Sequence, residues 1–294
     1  MKATPRFIPS LLARAIACFA ACFLTHCATT PVSTGGGASS ANLQTTTKES
    51  PYVNSLGMKF VPIPGTNILM CTTETTIAQY QQSGLPFQGS EYPQSSNHPV
   101  VNMTGGDAAK FCEWLSRQDK HTYRLPTEAE WLAAAGKSPG SWPPPGNAGN
   151  LAGQELKGSS ESERTQLKTE FSKKVPDQHY FYDQQQLAVI RDAMTSKNFL
   201  AIGGYTDRHR HTAPVGSYAP NSLGLYDMVG NVSEVCDGWV DKMTGLRVTR
   251  GSNWKSAVAY AIRNHERGTL GNSDWPVKSL AHSTTTGFRC VLVR

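Results

Sequence analysis

The sequence of 294 residues lacks the short motifs of several large enzyme classes. It has no G-x-S-x-G elbow, no phosphate-binding P-loop and no G-x-G-x-x-G fingerprint, which argues against an α/β-hydrolase, a P-loop nucleotidase and a dinucleotide-binding oxidoreductase. No two of its seven cysteines form a C-x-x-C pair, so neither a zinc ribbon nor a thioredoxin-type site is expected.

The sequence also has little charge. Only 17% of the residues are charged, and 28 Lys and Arg against 22 Asp and Glu give a net charge of +6. Half of that excess comes from Lys2, Arg6 and Arg14, which lie in a segment typical of a targeting signal. We therefore expect no nucleic-acid partner.

The first residues carry that signal. The apolar run over residues 15–24 is about half as long as a membrane-spanning helix requires, and basic residues precede it, which predicts a signal peptide over residues 1–26. Residues 24–27 resemble a bacterial lipobox, and this resemblance implies that Cys27 carries lipid and anchors the chain to a membrane. Because Ala28 is not aspartate, a cell-envelope location is expected, with the outer membrane favoured. Cleavage near Ala28 without lipidation is the alternative.

The remaining chain divides by composition. Residues 27–50 are rich in Thr, Ser, Gly and Ala and predict a flexible tether, which leaves a folded domain over residues 51–294. Residues 152–206 are rich in charge of both signs and predict a surface insertion in that domain.

Local patterns in the domain predict short elements. Alternating residues over 52–71 indicate short strands and a hairpin. Capping boxes begin at Thr76 and Thr127, Thr104 opens a further helix, and Gly136 is expected to end the helix that starts after Thr127. Long helices are few and turns are many, so the sequence predicts an irregular, loop-rich α+β fold.

Seven segments, taken together and in this order, resemble the formylglycine-generating (sulfatase-modifying factor) family. They are GMKFVPIPG, ETTIAQY, HPVVNMTGGDAAKFCEWL, YRLPTEAEW, TAPVGSYAPNSLGLYDMVGNVSEV, RVTRGSNW and GFRC. The resemblance implies a fold related to that of the C-type lectins. Within these motifs, Arg124 and Arg289 are expected to anchor loops through carboxylates rather than to bind substrate.

The same resemblance implies structural calcium, a hard cation that prefers oxygen ligands. One site maps onto Asp227, the Gly230 carbonyl, the Val232 carbonyl and Glu234. A second site maps onto Asn150, the Leu151 carbonyl, Asp207 and the His209 carbonyl, and it straddles the insertion. The alternative is that Asp227 and Glu234 only cap turns.

The cysteines outside the leader divide into two pairs. By resemblance, Cys112 and Cys290 form a disulfide, which suits an extracytoplasmic protein. Cys71 and Cys236 remain, either as a second pair or as two buried thiols.

The catalytic positions of the family are not kept. The family's two cysteines, which bind copper, align with Ser256 and Ala261, and neither side chain supplies the thiolate that copper(I) prefers. The family's active-site serine aligns with Asn253 and its tryptophan with Ser233. We therefore expect no copper and no formylglycine chemistry in this chain.

Two functions remain open. One is a non-catalytic binding or accessory module for an unknown protein or glycan, displayed on a lipid anchor. The other is an oxidoreductase-like enzyme of the same superfamily with changed active-site chemistry. Candidate cleft residues for either function are Trp254, Tyr260, His265 and Glu266. Envelope scaffolding through the 152–206 insertion is a third possibility.

Overall fold

The computed structural model describes residues 41–136, 149–155, 205–243, 246–255 and 283–294. Its helices are α1 (Ala41–Gln44), α2 (Ile77–Gln81), α3 (Gly105–Asp119) and α4 (Glu128–Ala135). Its strands are β1 (Tyr52–Val53), β2 (Lys59–Pro62), β3 (Ile68–Cys71), β4 (Tyr123–Arg124), β5 (Ser233–Asp241), β6 (Leu246–Arg250), β7 (Thr286–Gly287) and β8 (Val291–Val293). No helix in these ranges has the length and apolar character needed to cross a membrane.

The strands form two sheets. The larger has the order β1-β2-β3-β8-β4 and is antiparallel throughout. The smaller has the order β6-β5-β7, with β7 parallel to β5. Because β8 pairs with both β3 and β4, the C-terminal residues form an interior strand of the larger sheet. The predicted α+β class with short strands and few helices is confirmed.

The helices begin where the sequence predicts. Thr76, Thr104 and Thr127 are N-caps, and each forms a reciprocal capping box with the residue three positions later. Such a box satisfies two backbone N–H groups that would otherwise have no partner at the start of a helix. Helix α4 ends at Gly136, which has a φ of 71° and so adopts a backbone conformation that favours glycine.

The domain starts earlier than the sequence predicted. Leu43 on α1 is buried in the hydrophobic core, and Lys48 Nζ donates a hydrogen bond of 3.0 Å to the Ser222 carbonyl. The predicted boundary between tether and domain at residue 51 is therefore wrong by at least ten residues. Residues 41–50 are mostly polar, so their composition does not indicate that Leu43 is buried. Residues 1–40, including Cys27, lie outside the described residues.

The two ends of the predicted insertion meet. Gln154 N donates to the Tyr205 carbonyl at 2.8 Å, and Gly149 N donates to the Tyr205 hydroxyl at 3.2 Å. The described residues on the two sides of the predicted insertion are thus in contact, and the insertion itself stays a prediction. Ala152 is buried and belongs to the domain itself, and residues 156–204 lie outside the described residues.

The four described cysteines lie in two different hydrophobic cores. Leu69 and Cys71 contribute to the first core, while Ile68 and Met70 contribute to the second, because successive strand residues point to opposite faces of a sheet. Cys236 lies in the second core, so the structure gives no support to a bond between Cys71 and Cys236.

Cys112 and Cys290 both lie in the first core. Their sulfurs are 3.5 Å apart and both are thiols in this structure. The proximity is as expected from the resemblance, and the covalent bond stays a prediction.

Candidate functional site

A buried ion pair stands at the centre of the site. Arg289 Nε donates to Glu234 Oε2 at 2.7 Å, and Arg289 Nη2 donates to Glu234 Oε1 at 2.6 Å. Trp131 Nε1 donates to Glu234 Oε2 at 2.8 Å. Both charged side chains are almost fully buried, so this two-pronged contact fixes strand β5 against the segment that precedes β8.

Arg289 also binds the polypeptide around it. Its Nη1 donates to the Cys71 carbonyl at 3.2 Å, and its Nη2 donates to the Tyr226 carbonyl at 2.9 Å. A similar two-pronged contact joins Arg124 to Glu130, with both hydrogen bonds at 2.7 Å. The prediction that these arginines anchor loops through carboxylates is confirmed.

Two further carboxylates lie near the ion pair. Glu74 is fully buried and accepts hydrogen bonds from Asn231 Nδ2 at 2.9 Å and from Val232 N at 3.3 Å. Burial, together with the charges of Asp227 and Glu234, raises the pKa of Glu74 well above its ordinary value. Three carboxylates around one guanidinium leave an excess of negative charge, which a proton or a cation would neutralise.

The first candidate calcium loop contains Asp227. Asp227 Oδ2 accepts a hydrogen bond of 2.6 Å from Gly216 N, and Oδ1 is buried without a hydrogen-bond partner among the described residues. Burial raises the pKa of Asp227 to about 6, although the Gly216 amide and Arg289 act in the opposite direction. In the same predicted ligand set, Glu234 already gives both oxygens to Arg289 and Trp131, so Asp227 offers the clearer ligand oxygen.

The second candidate calcium loop joins two distant segments. Leu151 N donates to Asp207 Oδ2 at 2.7 Å, and His209 N donates to Asp207 Oδ1 at 2.9 Å. Asn150 is fully buried, and its Oδ1 has no hydrogen-bond partner among the described residues. Burial raises the pKa of Asp207 to about 6 against the effect of these backbone hydrogen bonds. The structure therefore places the Asp207 carboxylate against the backbone that directly follows Asn150, and calcium binding at these residues stays a prediction.

The two candidate calcium loops touch each other. Asn231 N donates to the Asn150 carbonyl at 2.7 Å, and a side chain at position 230 would collide with that same carbonyl. Gly230, with a φ of 87°, permits this approach. Within the described ranges no group of three or more His, Cys, Asp or Glu side chains is placed to hold a metal, so either site would depend on carbonyl and amide oxygens as well.

Two positions aligned with the family's active site, Ser233 and Asn253, lie within the described residues and are hydrogen-bonded to each other. Asn253 Nδ2 donates to Ser233 Oγ at 2.9 Å, and Ser233 Oγ donates to the Gly251 carbonyl at 2.9 Å. Lys255 N donates to Asn253 Oδ1 at 3.0 Å. Both side chains therefore have partners within the protein. The other predicted positions, Ser256, Tyr260, Ala261, His265 and Glu266, lie outside the described residues.

Trp254 belongs to a packed aromatic group. It is 2% exposed, and its Nε1 donates to the Thr284 carbonyl at 3.1 Å. Tyr92 and His211 stack with ring centroids 3.6 Å apart, and each ring is almost perpendicular to the Trp254 indole. Trp254 thus supports the site from within rather than offering an exposed face. Among the described residues, Trp239 is a tryptophan with an exposed side chain, at 43%.

Sequence reasoning missed several residues of the site. Glu74 and Asn231 both lie in segments that carry the family resemblance, so their positions gave a signal that was not used. Tyr92 precedes His211 and Trp254 by more than a hundred residues, and no spacing in the sequence indicates that these rings meet.

A family model supports the resemblance. The model of the sulfatase-modifying factor enzyme 1-like domain matches residues 41–293. Its first matched residue coincides with the first residue of α1.

Individual proteins match as well. A formylglycine-generating enzyme of Thermomonospora curvata is 30% identical over 220 residues, which cover 69% of this chain and 58% of that protein. An inactive C-alpha-formylglycine-generating enzyme 2 of Bos taurus is 28% identical over 69% of this chain and 52% of that protein. The chain thus spans little more than half the length of these relatives. The solved structure of PvdO from Pseudomonas aeruginosa matches 77% of this chain and 80% of its own, with 16% identity and a TM-score of 0.48.

Proposed function

The chain belongs to the sulfatase-modifying factor enzyme 1-like domain family, and from that premise we propose that it is a non-catalytic binding or accessory module. Its ligand would be a protein or a glycan. The proposal concerns the site, because one fold can carry an active or an inactive site. The relatives include proteins described as formylglycine-generating enzymes and others described as inactive.

The contact between Ser233 and Asn253 carries the proposal. These residues align with the family's catalytic tryptophan and serine, and here they hydrogen-bond to each other at 2.9 Å. A side chain whose donors and acceptors are already used inside the protein is a poor candidate for binding a reacting group. Two of the replaced positions therefore support one another as a structural unit.

Copper does not fit the aligned positions. Ser256 and Ala261 offer no thiolate, and copper(I) is a soft ion that prefers sulfur ligands. The buried thiols of the chain belong to the hydrophobic cores, where burial raises the pKa of Cys71 to about 12 and thereby disfavours its thiolate.

We further propose that calcium stabilises the two candidate loops. Asp227 with the Gly230 and Val232 carbonyls and Glu234 would hold one ion. Asn150 with the Leu151 carbonyl, Asp207 and the His209 carbonyl would hold the other. Each loop contains one buried oxygen without a hydrogen-bond partner among the described residues, Asp227 Oδ1 and Asn150 Oδ1, which supports the fit. The ion would supply positive charge to buried carboxylates and hold loop backbones together.

The proposed setting is the cell envelope. A lipid anchor at Cys27 would attach the chain to the outer membrane and place the domain in the periplasm or outside the cell. The support is the basic, apolar and lipobox-like order of residues 1–27. Mass spectrometry of the protein purified from the membrane fraction should find a lipid-modified Cys27. An unmodified peptide that runs through residue 27 would contradict this.

A copper(I) competition titration tests the non-catalytic proposal. The purified chain should take up no copper(I) from a chromogenic chelator, whereas the double variant S256C/A261C should take up one equivalent. Uptake of one equivalent by the unaltered chain would contradict the proposal and favour a copper enzyme whose ligands are not at positions 256 and 261.

A further inference from the structure

Glu155 organises the second calcium loop although it is absent from the predicted ligand set. Its Oε1 accepts hydrogen bonds from Asp207 N at 3.0 Å and from Arg208 N at 2.8 Å. The Thr206 hydroxyl donates to the same oxygen. Three consecutive residues thus direct donors at one carboxylate, an arrangement of backbone N–H groups that binds anions.

This carboxylate fixes an unfavourable backbone turn. Arg208 has a φ of 73°, a conformation that costs free energy for any residue except glycine. The hydrogen bonds to Glu155 come from the Arg208 amide itself and from the two residues before it, Asp207 and Thr206. They therefore set the orientation of Asp207 and of the backbone that leads to the His209 carbonyl.

The same turn is tied to the other half of the site. Asp207 Oδ2 accepts from Leu151 N at 2.7 Å, and the backbones of Gln154 and Tyr205 are hydrogen-bonded at 2.8 Å. Glu155 follows Gln154 directly, so its side chain spans the contact between the segments 149–155 and 205–209. One glutamate thereby links both segments that contribute ligands.

We propose that Glu155 is a positioning residue for a divalent cation at Asn150 and Asp207, acting through the backbone of residues 206–208. The inference rests on the calcium binding proposed above. Residues that orient metal ligands typically change metal affinity by about 10–100-fold when they are removed.

The test measures calcium binding to the metal-stripped full chain by isothermal titration calorimetry. The unaltered chain should bind two ions, and E155A should weaken one site by about 10–100-fold while leaving the other unchanged. E155Q should keep most of the affinity, because the glutamine oxygen can still accept the backbone hydrogen bonds. E113Q, which removes a charge from the exposed Glu113, is the matched control and should bind like the unaltered chain.

Every other outcome of the calcium titration also tests the role of Glu155. If E155A binds two ions with unchanged affinity, Glu155 does not position the site. If E155Q loses as much as E155A, Glu155 is a ligand rather than a positioning residue. Should E155A fail to fold, T206V decides, because it removes only one donor to the carboxylate and should weaken the same site by a smaller factor; unchanged binding by T206V would overturn the inference. If the unaltered chain binds no calcium, the calcium proposal itself fails, and this inference fails with it.

Discussion

Ser233 and Glu234 are neighbours on strand β5, and they belong to two different parts of the molecule. Glu234 points to the ion pair with Arg289 and to the Trp131 indole. Ser233 hydrogen-bonds to Asn253 and to the Gly251 carbonyl. Glu234 keeps the identity that the family resemblance implies, and Ser233 departs from it.

On the function proposed above, the structural contacts of Glu234 and Arg289, here called the frame, are separable from the catalytic side chains over a single peptide bond. The contacts of Glu234 and Arg289 join both sheets and two loops, so the fold depends on them. The contact between Ser233 and Asn253 is local and connects two short segments. A chain can therefore lose the family's catalytic side chains while the frame that once positioned them remains.

The largest expected effect on stability comes from removing the buried ion pair between Glu234 and Arg289. E234Q removes the carboxylate that pairs directly with the buried Arg289 guanidinium and should lower the free energy of unfolding by about 3–5 kcal/mol. Denaturation by urea measures this value. D237N is the matched control on the same strand, because the Asp237 carboxylate is half exposed, and a surface ion pair contributes about 1 kcal/mol or less. Equal losses from the two variants would contradict the distinction between frame and surface.

The next effect concerns the link between helix α3 and the segment before β8. If Cys112 and Cys290 form a disulfide in the oxidised protein, its reduction should cost about 2–5 kcal/mol of stability. Peptide mapping without reduction should recover residues 112 and 290 in one linked peptide. C236A is the control, since Cys236 lies in the other core, and it should leave the linked peptide unchanged. A peptide that joins Cys290 to Cys71, its neighbour on β3, would contradict the pairing.

Removal of calcium should have a comparable or smaller effect. A ligand present at one hundred times its dissociation constant stabilises the folded state by about 2.7 kcal/mol. Chelation should therefore lower the melting temperature, and added calcium should restore it. Magnesium is the control ion, because it demands a tighter octahedral geometry and dehydrates reluctantly. Identical melting curves with calcium and with chelator would exclude a stabilising ion.

The smallest expected effect comes from the cleft. N253A removes the hydrogen bond to Ser233 and should reduce the free energy of unfolding by about 1 kcal/mol. Urea denaturation of N253A beside E234Q compares the two regions directly. A loss above about 3 kcal/mol for N253A would mean that this contact is part of the frame and would remove the distinction.

The sequence predicted the local elements of this fold well. Thr76, Thr104 and Thr127 begin helices because a capping box is a contact within four residues, and such contacts are visible in the sequence. The cores follow from alternating residues, as in β3. The boundary at residue 51 failed because one buried leucine in a polar segment leaves no periodic pattern.

The site was harder to predict because its contacts join distant segments. The resemblance supplied Asp207 and Asn150, but nothing in the sequence indicates that Glu155 receives the amides of residues 207 and 208. The burial of Glu74 beside Asp227 likewise depends on how two loops approach each other. Tertiary contacts between polar residues have no period, so sequence patterns do not predict them.

The most direct measurement asks whether the chain performs the family reaction. The purified chain is incubated with copper, oxygen and a peptide that contains C-x-P-x-R, and mass spectrometry follows the peptide cysteine. We expect no formylglycine from the unaltered chain. Conversion by S256C/A261C would show that the cleft is intact and lacks only the two cysteines. Formylglycine produced by the unaltered chain would contradict the account.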